Sequence, residues 1–99
     1  NRGGYKIYSV EVENVLLAFP GIVEAAVVGK ACPVLGERVH AFIHAPAGAP
    51  DLAALREHCR QMLADYKVPE SFVVKAEPLA RNANGKLMKR LMREELPAS

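Results

Sequence analysis

The sequence predicts an α+β domain: a small sheet of about three strands, mainly antiparallel, covered by helices. Three observations predict it. Apolar residues recur at helical spacing in two stretches, at Val12, Val15, Leu16 and Phe19 and again at Leu52, Leu55, Cys59, Met62 and Leu63. Residues 37–44 alternate between apolar and polar, the period of a strand. Two further short apolar runs, 22–29 and 72–75, are too short for good helices and carry several valines. The chain has 99 residues, the size of one domain. A globule of that length buries roughly 60–70% of its unfolded surface, enough for one modest core but not for a deep pocket.

The elements follow in order. Gly3-Gly4 marks a turn, and Tyr5 to Tyr8 reads as a short alternating arm of a hairpin. Ser9 then caps a helix over 10–19, with Glu11 and Glu13 in the first turn, where the helix dipole favours acids. Pro20-Gly21 stops it. Residues 22–29 form a buried strand, and 31–36, with Pro33 and Gly36, a loop. In the next strand Val39, Ala41 and Ile43 share one face and Arg38, His40, Phe42 and His44 the other; it is expected to run antiparallel to the first. Asp51 caps the second helix. A third strand spans 72–75, a polar loop 78–86 ends in Asn84-Gly85-Lys86, and a last helix covers 87–96.

The formal charge of +2 is too small to argue for nucleic acid. It is uneven, however: Arg81, Lys86, Lys89, Arg90 and Arg93 face only Glu94 and Glu95 between 81 and 95, so a positive patch is expected there. Cys32 and Cys59 have no metal-type spacing, and Cys59, on an apolar helix face, reads as a buried free thiol. The expected compartment is reducing and cytoplasmic, because no signal peptide is visible and no apolar run approaches membrane-spanning length. The chain begins at Asn1 within a glycine turn, as expected of a segment of a longer protein.

Few residues suggest chemistry individually. Gly85 permits a sharp turn, so Lys86 projects from a loop tip at the start of a helix; its long stem and point charge suit it to reach a phosphate. Alone, Asn-Gly-Lys is usually a turn with a solvated lysine. Arg2-Gly3-Gly4-Tyr5-Lys6 offers bare backbone for close approach but lacks phosphate-loop spacing. His40 and His44 are too far apart along a strand to share one metal, no acid or cysteine completes a site, and no metal site is expected. Glu11 and Glu13 diverge on a helix and do not form an acid–base pair. Lys86, Arg90 and Arg93, at i, i+4 and i+7, form a stripe that is most often a solvated face.

Taken together, these pieces gain weight. Asn1-Arg2-Gly3-Gly4-Tyr5-Lys6-Ile7-Tyr8-Ser9-Val10-Glu11-Val12-Glu13 resembles the glycine loop and following helix of adenylate-forming enzymes. Phe19 to Gly29, Leu35-Gly36-Glu37, Tyr66-Lys67-Val68-Pro69 and Arg81-Asn82-Ala83-Asn84-Gly85-Lys86 resemble successive family segments, in the family order and over essentially the whole chain. The most similar members are AMP-forming acyl-CoA synthetases of the fatty-acid or aromatic-acid type. Two positions depart from many relatives: Ser9 stands where they have proline, and Cys32-Pro33 where they have Asp-Pro.

The resemblance implies that residues 1–99 are the mobile C-terminal lid of an ATP-dependent carboxylic acid:CoA ligase. The larger N-terminal domain that binds ATP and the acid, and the hinge before Asn1, lie outside the sequence. It implies that Lys86 is catalytic in forming acyl-AMP and pyrophosphate, that Gly3 and Gly4 line the pantetheine tunnel for the thioester step, and that Lys6 lies near the nucleotide phosphate. ATP, Mg2+ and CoA are implied as substrates bound mainly outside this segment, and the fragment alone is expected to be inactive. The implied partners are the lid's own N-terminal domain, a carboxylic acid and CoA, without nucleic acid or a transmembrane segment. Two alternatives remain open: an adenylation domain loading a carrier-protein thiol, and a non-enzymatic basic binding module.

Overall fold

The computed structural model describes the backbone of residues 4–32 and 36–96, and the side chains of 9–29 and 38–96. Helix α1 spans Gly4–Leu17, strand β1 Glu24–Cys32, strand β2 Gly36–His44, helix α2 Leu52–Met62, strand β3 Ser71–Lys75 and helix α3 Lys89–Glu94. A single 3-10 turn, Asp65–Lys67, precedes β3.

The sheet has the order β1-β2-β3. β1 and β2 pair antiparallel, from Glu24 opposite His44 to Cys32 opposite Gly36. β3 pairs parallel to β2, with His40 opposite Ser71 and His44 opposite Lys75. The sheet is therefore mixed, with the longer ladder antiparallel as expected. A parallel neighbour needs a crossover, which α2 supplies between β2 and β3.

Both faces of the sheet are covered, and the period of two sorts the residues between them. On one face Ala25, Val27, Val39, Ala41 and Ile43 pack with Val12 and Leu16 of α1 and with Leu55, Cys59 and Leu63 of α2. On the other, Ala26, Val28 and Phe42 pack with Leu79, Met92 and Leu96. Burial on both sides explains the apolar run at residues 25–28 of β1, all four of which are buried. The result is a three-layer arrangement around a central sheet.

Several expectations need correction. Tyr5 to Tyr8 belongs to α1, not to a hairpin arm, and Ser9 is a buried residue inside the helix, not its cap. Ser9, Val12 and Leu16 lie on one helical stripe, and extending an existing helix adds one hydrogen bond per residue fixed, without a new nucleation cost. Glu11 and Glu13 are consequently mid-helix. In α2 the capping by Asp51 stands, with its carboxylate accepting from the amides of Ala53 and Ala54 at 3.0 and 3.3 Å. Leu52 and Met62, however, are exposed at its ends, and the buried stripe is Leu55, Cys59 and Leu63. The last helix starts at Lys89 instead of 87, because the residues before it close a small hairpin.

The edge of β1 is protected. Glu13 accepts the outward Val27 N–H at 2.8 Å and also holds the Lys89 ammonium at 2.7 Å. One carboxylate thus occupies a free edge amide and ties α1 to α3. Among the described residues no helix is long and apolar enough to cross a membrane.

Candidate active site: the Lys86 hairpin

Residues 79–88 form a short irregular hairpin seated on the Phe42 face. Leu79 is buried at its base and Leu87 packs partly buried beside it. An isolated antiparallel bridge joins Arg81 to Leu87, and the Met88 amide donates to the Ala80 carbonyl at 2.9 Å. Inside that bridge the Asn82 amide donates to the Lys86 carbonyl at 2.9 Å, and the Gly85 amide to the Asn82 carbonyl at 2.9 Å. Gly85 turns the chain with φ +82°, a left-handed conformation that side chains disfavour. The Asn82 side chain closes the tip: its Oδ1 accepts from the amides of Asn84 and Lys86, at 2.9 and 3.0 Å.

The base of the hairpin is fixed by one acid. Glu24 Oε1 accepts the Leu79 N–H at 2.9 Å, and Oε2 accepts from Arg81 Nη2 and Nε at 2.6 and 3.2 Å. Arg81 Nη1 reaches forward to the Gly85 carbonyl at 2.8 Å. The Arg81 hydrogen bonds, then the Leu79 amide, hold the Glu24 carboxyl below its ordinary pKa against the opposing effect of burial.

Lys86 is exposed, and its ammonium has no ion-pair or hydrogen-bond partner among the described residues. Its neighbours are occupied: Arg81 with Glu24, Lys89 with Glu13 and Lys75 with Glu95. Of the five cations expected to form a positive patch over 81–95, Arg81 and Lys89 are thus held in ion pairs. The Lys86–Arg90–Arg93 stripe does not exist as a helical row, because Lys86 lies before the helix. The helix begins three residues after Lys86, so Lys86 does not itself open it. Among the described residues Lys86 is an unpaired ammonium on a hydrogen-bonded turn.

The other candidates lie elsewhere. Gly3 is outside the described residues. Gly4 is the first residue of α1 and Lys6 lies in its first turn, so the bare loop expected from Gly4 onward is helical. α1 packs on the sheet face opposite the hairpin. His40 Nδ1 lies 2.8 Å from Ser71 Oγ and His44 Nδ1 3.2 Å from the Lys75 carbonyl, so both bond within the sheet; His44 is buried. Among the described residues no group of three histidine, cysteine or acidic side chains is placed to hold a metal ion. Two surface hollows, about 480 and 220 Å3, are lined by Arg56, Arg60 and Glu70 and by Phe42, Glu77 and Met92 respectively; neither includes Lys86.

Residues 11–86 match the family described as AMP-binding enzyme C-terminal domain, more than half of the chain. The chain belongs to that family. The matched stretch of this AMP-binding enzyme C-terminal domain ends on Lys86, and Gly3, Gly4 and Lys6 precede it. The domain is 43% identical over 96 residues to a 2-succinylbenzoate–CoA ligase of Geobacillus kaustophilus, covering 96% of this chain and 19% of the relative. It is 35% identical over 97 residues to a long-chain-fatty-acid–CoA ligase of Mycobacterium tuberculosis, covering 98% and 19%. Among solved structures, it superposes on apo MatB of Rhodopseudomonas palustris with TM-score 0.81 and 35% identity, over 89% of this chain and 18% of that one. An amide bond synthetase of Marinactinospora thermotolerans gives TM-score 0.79 and 37% identity, again over 89% and 18%. The domain thus spans about a fifth of the length of the relatives it matches.

Sequence reasoning missed Glu24. Its partner Arg81 is 57 residues away, and no local pattern links an acid opening a strand to a distant loop.

Proposed function

We propose that the chain is the C-terminal lid of an AMP-forming carboxylic acid:CoA ligase, with Lys86 supplying the ammonium for the adenylation step. The observation that carries this reading is the contrast at the hairpin: the Lys86 amide and carbonyl are both hydrogen-bonded to Asn82, while its ammonium has no partner among the described residues. Carboxylate oxygen attacks the α-phosphorus of ATP and the bond to pyrophosphate breaks, so negative charge accumulates where two anions meet. A positioned ammonium in a water-poor site lowers that barrier. Mg2+ arrives with ATP as part of the substrate. In the second step a thiol sulfur attacks the acyl carbon and AMP leaves.

The two steps call on different parts of the lid. Lys86 lies on one face of the sheet, and α1, with Gly4 and Lys6 at its start, packs on the other. A lid docked by one face then presents Lys86, and one turned over presents the Gly3-Gly4 segment to the incoming pantetheine, with Lys6 near the phosphate of the adenylate. The partner is a larger N-terminal domain carrying ATP and the acid, consistent with relatives about five times longer. A cytoplasmic setting suits the buried free thiol of Cys59.

One observation favours a second acceptor: the amide bond synthetase likeness makes an amine a candidate beside CoA and a carrier-protein thiol. The test joins the lid to its N-terminal domain and supplies ATP, a panel of carboxylic acids and the three acceptors separately. The reading expects pyrophosphate release with the joined protein, none with residues 1–99 alone, and thioester formation with free CoA. Product with the carrier or the amine only would overturn the CoA assignment; no pyrophosphate with any acid would overturn the adenylation reading.

A further inference from the structure

The geometry points to Glu24 and Arg81 as positioning residues for Lys86, acting through the peptide plane that precedes it. The inference rests on the role proposed above for Lys86. The Gly85 carbonyl and the Lys86 amide are two ends of one planar group. Arg81 Nη1 holds the oxygen end at 2.8 Å, and Asn82 Oδ1 holds the N–H end at 3.0 Å. A plane held at both ends restricts how the backbone at Lys86 can rotate, and with it the direction in which the side chain leaves the hairpin. The four-carbon stem stays flexible, but its root is confined, so fewer orientations of the ammonium must be searched when the lid docks.

Glu24 anchors this clamp to the sheet. It is the first residue of β1, next to the buried residues 25–28, and its two oxygens take Leu79 and Arg81 together. Arginine fits position 81 because its planar fork carries donors on separate nitrogens, which here point to Glu24 and to Gly85 at once. A lysine has one nitrogen at the end of a flexible stem. A half-exposed ion pair contributes little to stability, so a role in aiming Lys86 accounts for the arrangement better than folding does.

The test uses the full-length enzyme and measures the half-reactions separately: adenylation by pyrophosphate exchange, and thioester formation from supplied acyl-adenylate. Arg81→Ala is expected to lower kcat for adenylation by about tenfold to a hundredfold. The KM for ATP and the thioester step should stay within about twofold of wild type. The double variant Arg81→Ala/Lys86→Ala should be no slower in adenylation than Lys86→Ala, because Arg81 acts only through Lys86. Arg81→Lys, which keeps the charge but not the fork, should not restore the rate. If Arg81→Ala does not fold, Glu24→Gln carries the same comparison: it keeps an acceptor for Leu79 and loses the charge that holds Arg81. Unchanged adenylation, equal loss in both steps, or a double variant slower than Lys86→Ala would each overturn the inference while leaving Lys86 in place. A Lys86→Ala enzyme with wild-type adenylation would overturn the underlying reading, and the inference with it.

Discussion

Gly85 shows how a single residue sets the geometry of the hairpin tip. Its φ of +82° is left-handed, and no atom lies within 4 Å of where a Cβ would stand. A substitution there meets conformational strain and no steric clash. Gly85→Ala should therefore cost about 1–2 kcal/mol, and Gly85→Asn less, because asparagine tolerates the left-handed region. Thermal melts of the wild-type and variant domains measure this; a Gly85→Ala melt superposable on wild type would show that the turn does not need that conformation. The sequence announced this residue, because Asn84-Gly85 before a lysine marks a sharp turn. It did not announce Glu24. An acid at the head of a strand resembles any other acid until the fold brings Arg81 beside it.

At the scale of elements, the readable features were those with a period. Alternation in β2 separated Val39, Ala41 and Ile43 from Phe42, and the two faces bury those sets separately. The stripe Leu55, Cys59, Leu63 and the cap Asp51 located α2. What lacked a period was misread. Four residues, Tyr5 to Tyr8, alternate by chance, and continuity with the Ser9–Val12–Leu16 stripe decides their helix. The parallel pairing of β3 leaves no mark on its own five residues; the crossover through α2 sets it. The Lys86 loop was legible as a loop, but the hydrogen bonds that stiffen it were not.

The same hairpin yields an acid-range prediction. Arg81 holds the Glu24 carboxyl below its ordinary pKa, and Arg38, hydrogen-bonded to Glu70, does the same there. A depressed pKa means that the fold favours the ionised form. Its stabilising contribution is complete above the ordinary carboxylate value and is lost as pH falls through the depressed one. The Arg81 clamp should therefore loosen in acid, as Glu24 takes up a proton. Titration followed by the amide resonance of Leu79, which donates to Glu24, should show a midpoint below that of an unpaired glutamate. A midpoint at the ordinary value would remove the electrostatic part of the anchor.

For the whole molecule, the sheet is a partition. One face carries α1 and α2, the other carries the hairpin and α3, and Glu13 links the two across the β1 edge. Phe42, buried in the central strand, supports the hairpin face. On the function proposed above, such a body turning as a unit offers a different surface to each of the two chemical steps. The claim that matters most is that Lys86 serves one of those steps and not the other. Single-turnover rates of both half-reactions in full-length Lys86→Ala test it most directly. The account predicts adenylation slowed by about a hundredfold to a thousandfold, the scale of losing one preorganised electrostatic donor, with thioester formation from supplied acyl-adenylate close to wild type. Equal slowing of both steps, or of neither, would contradict it.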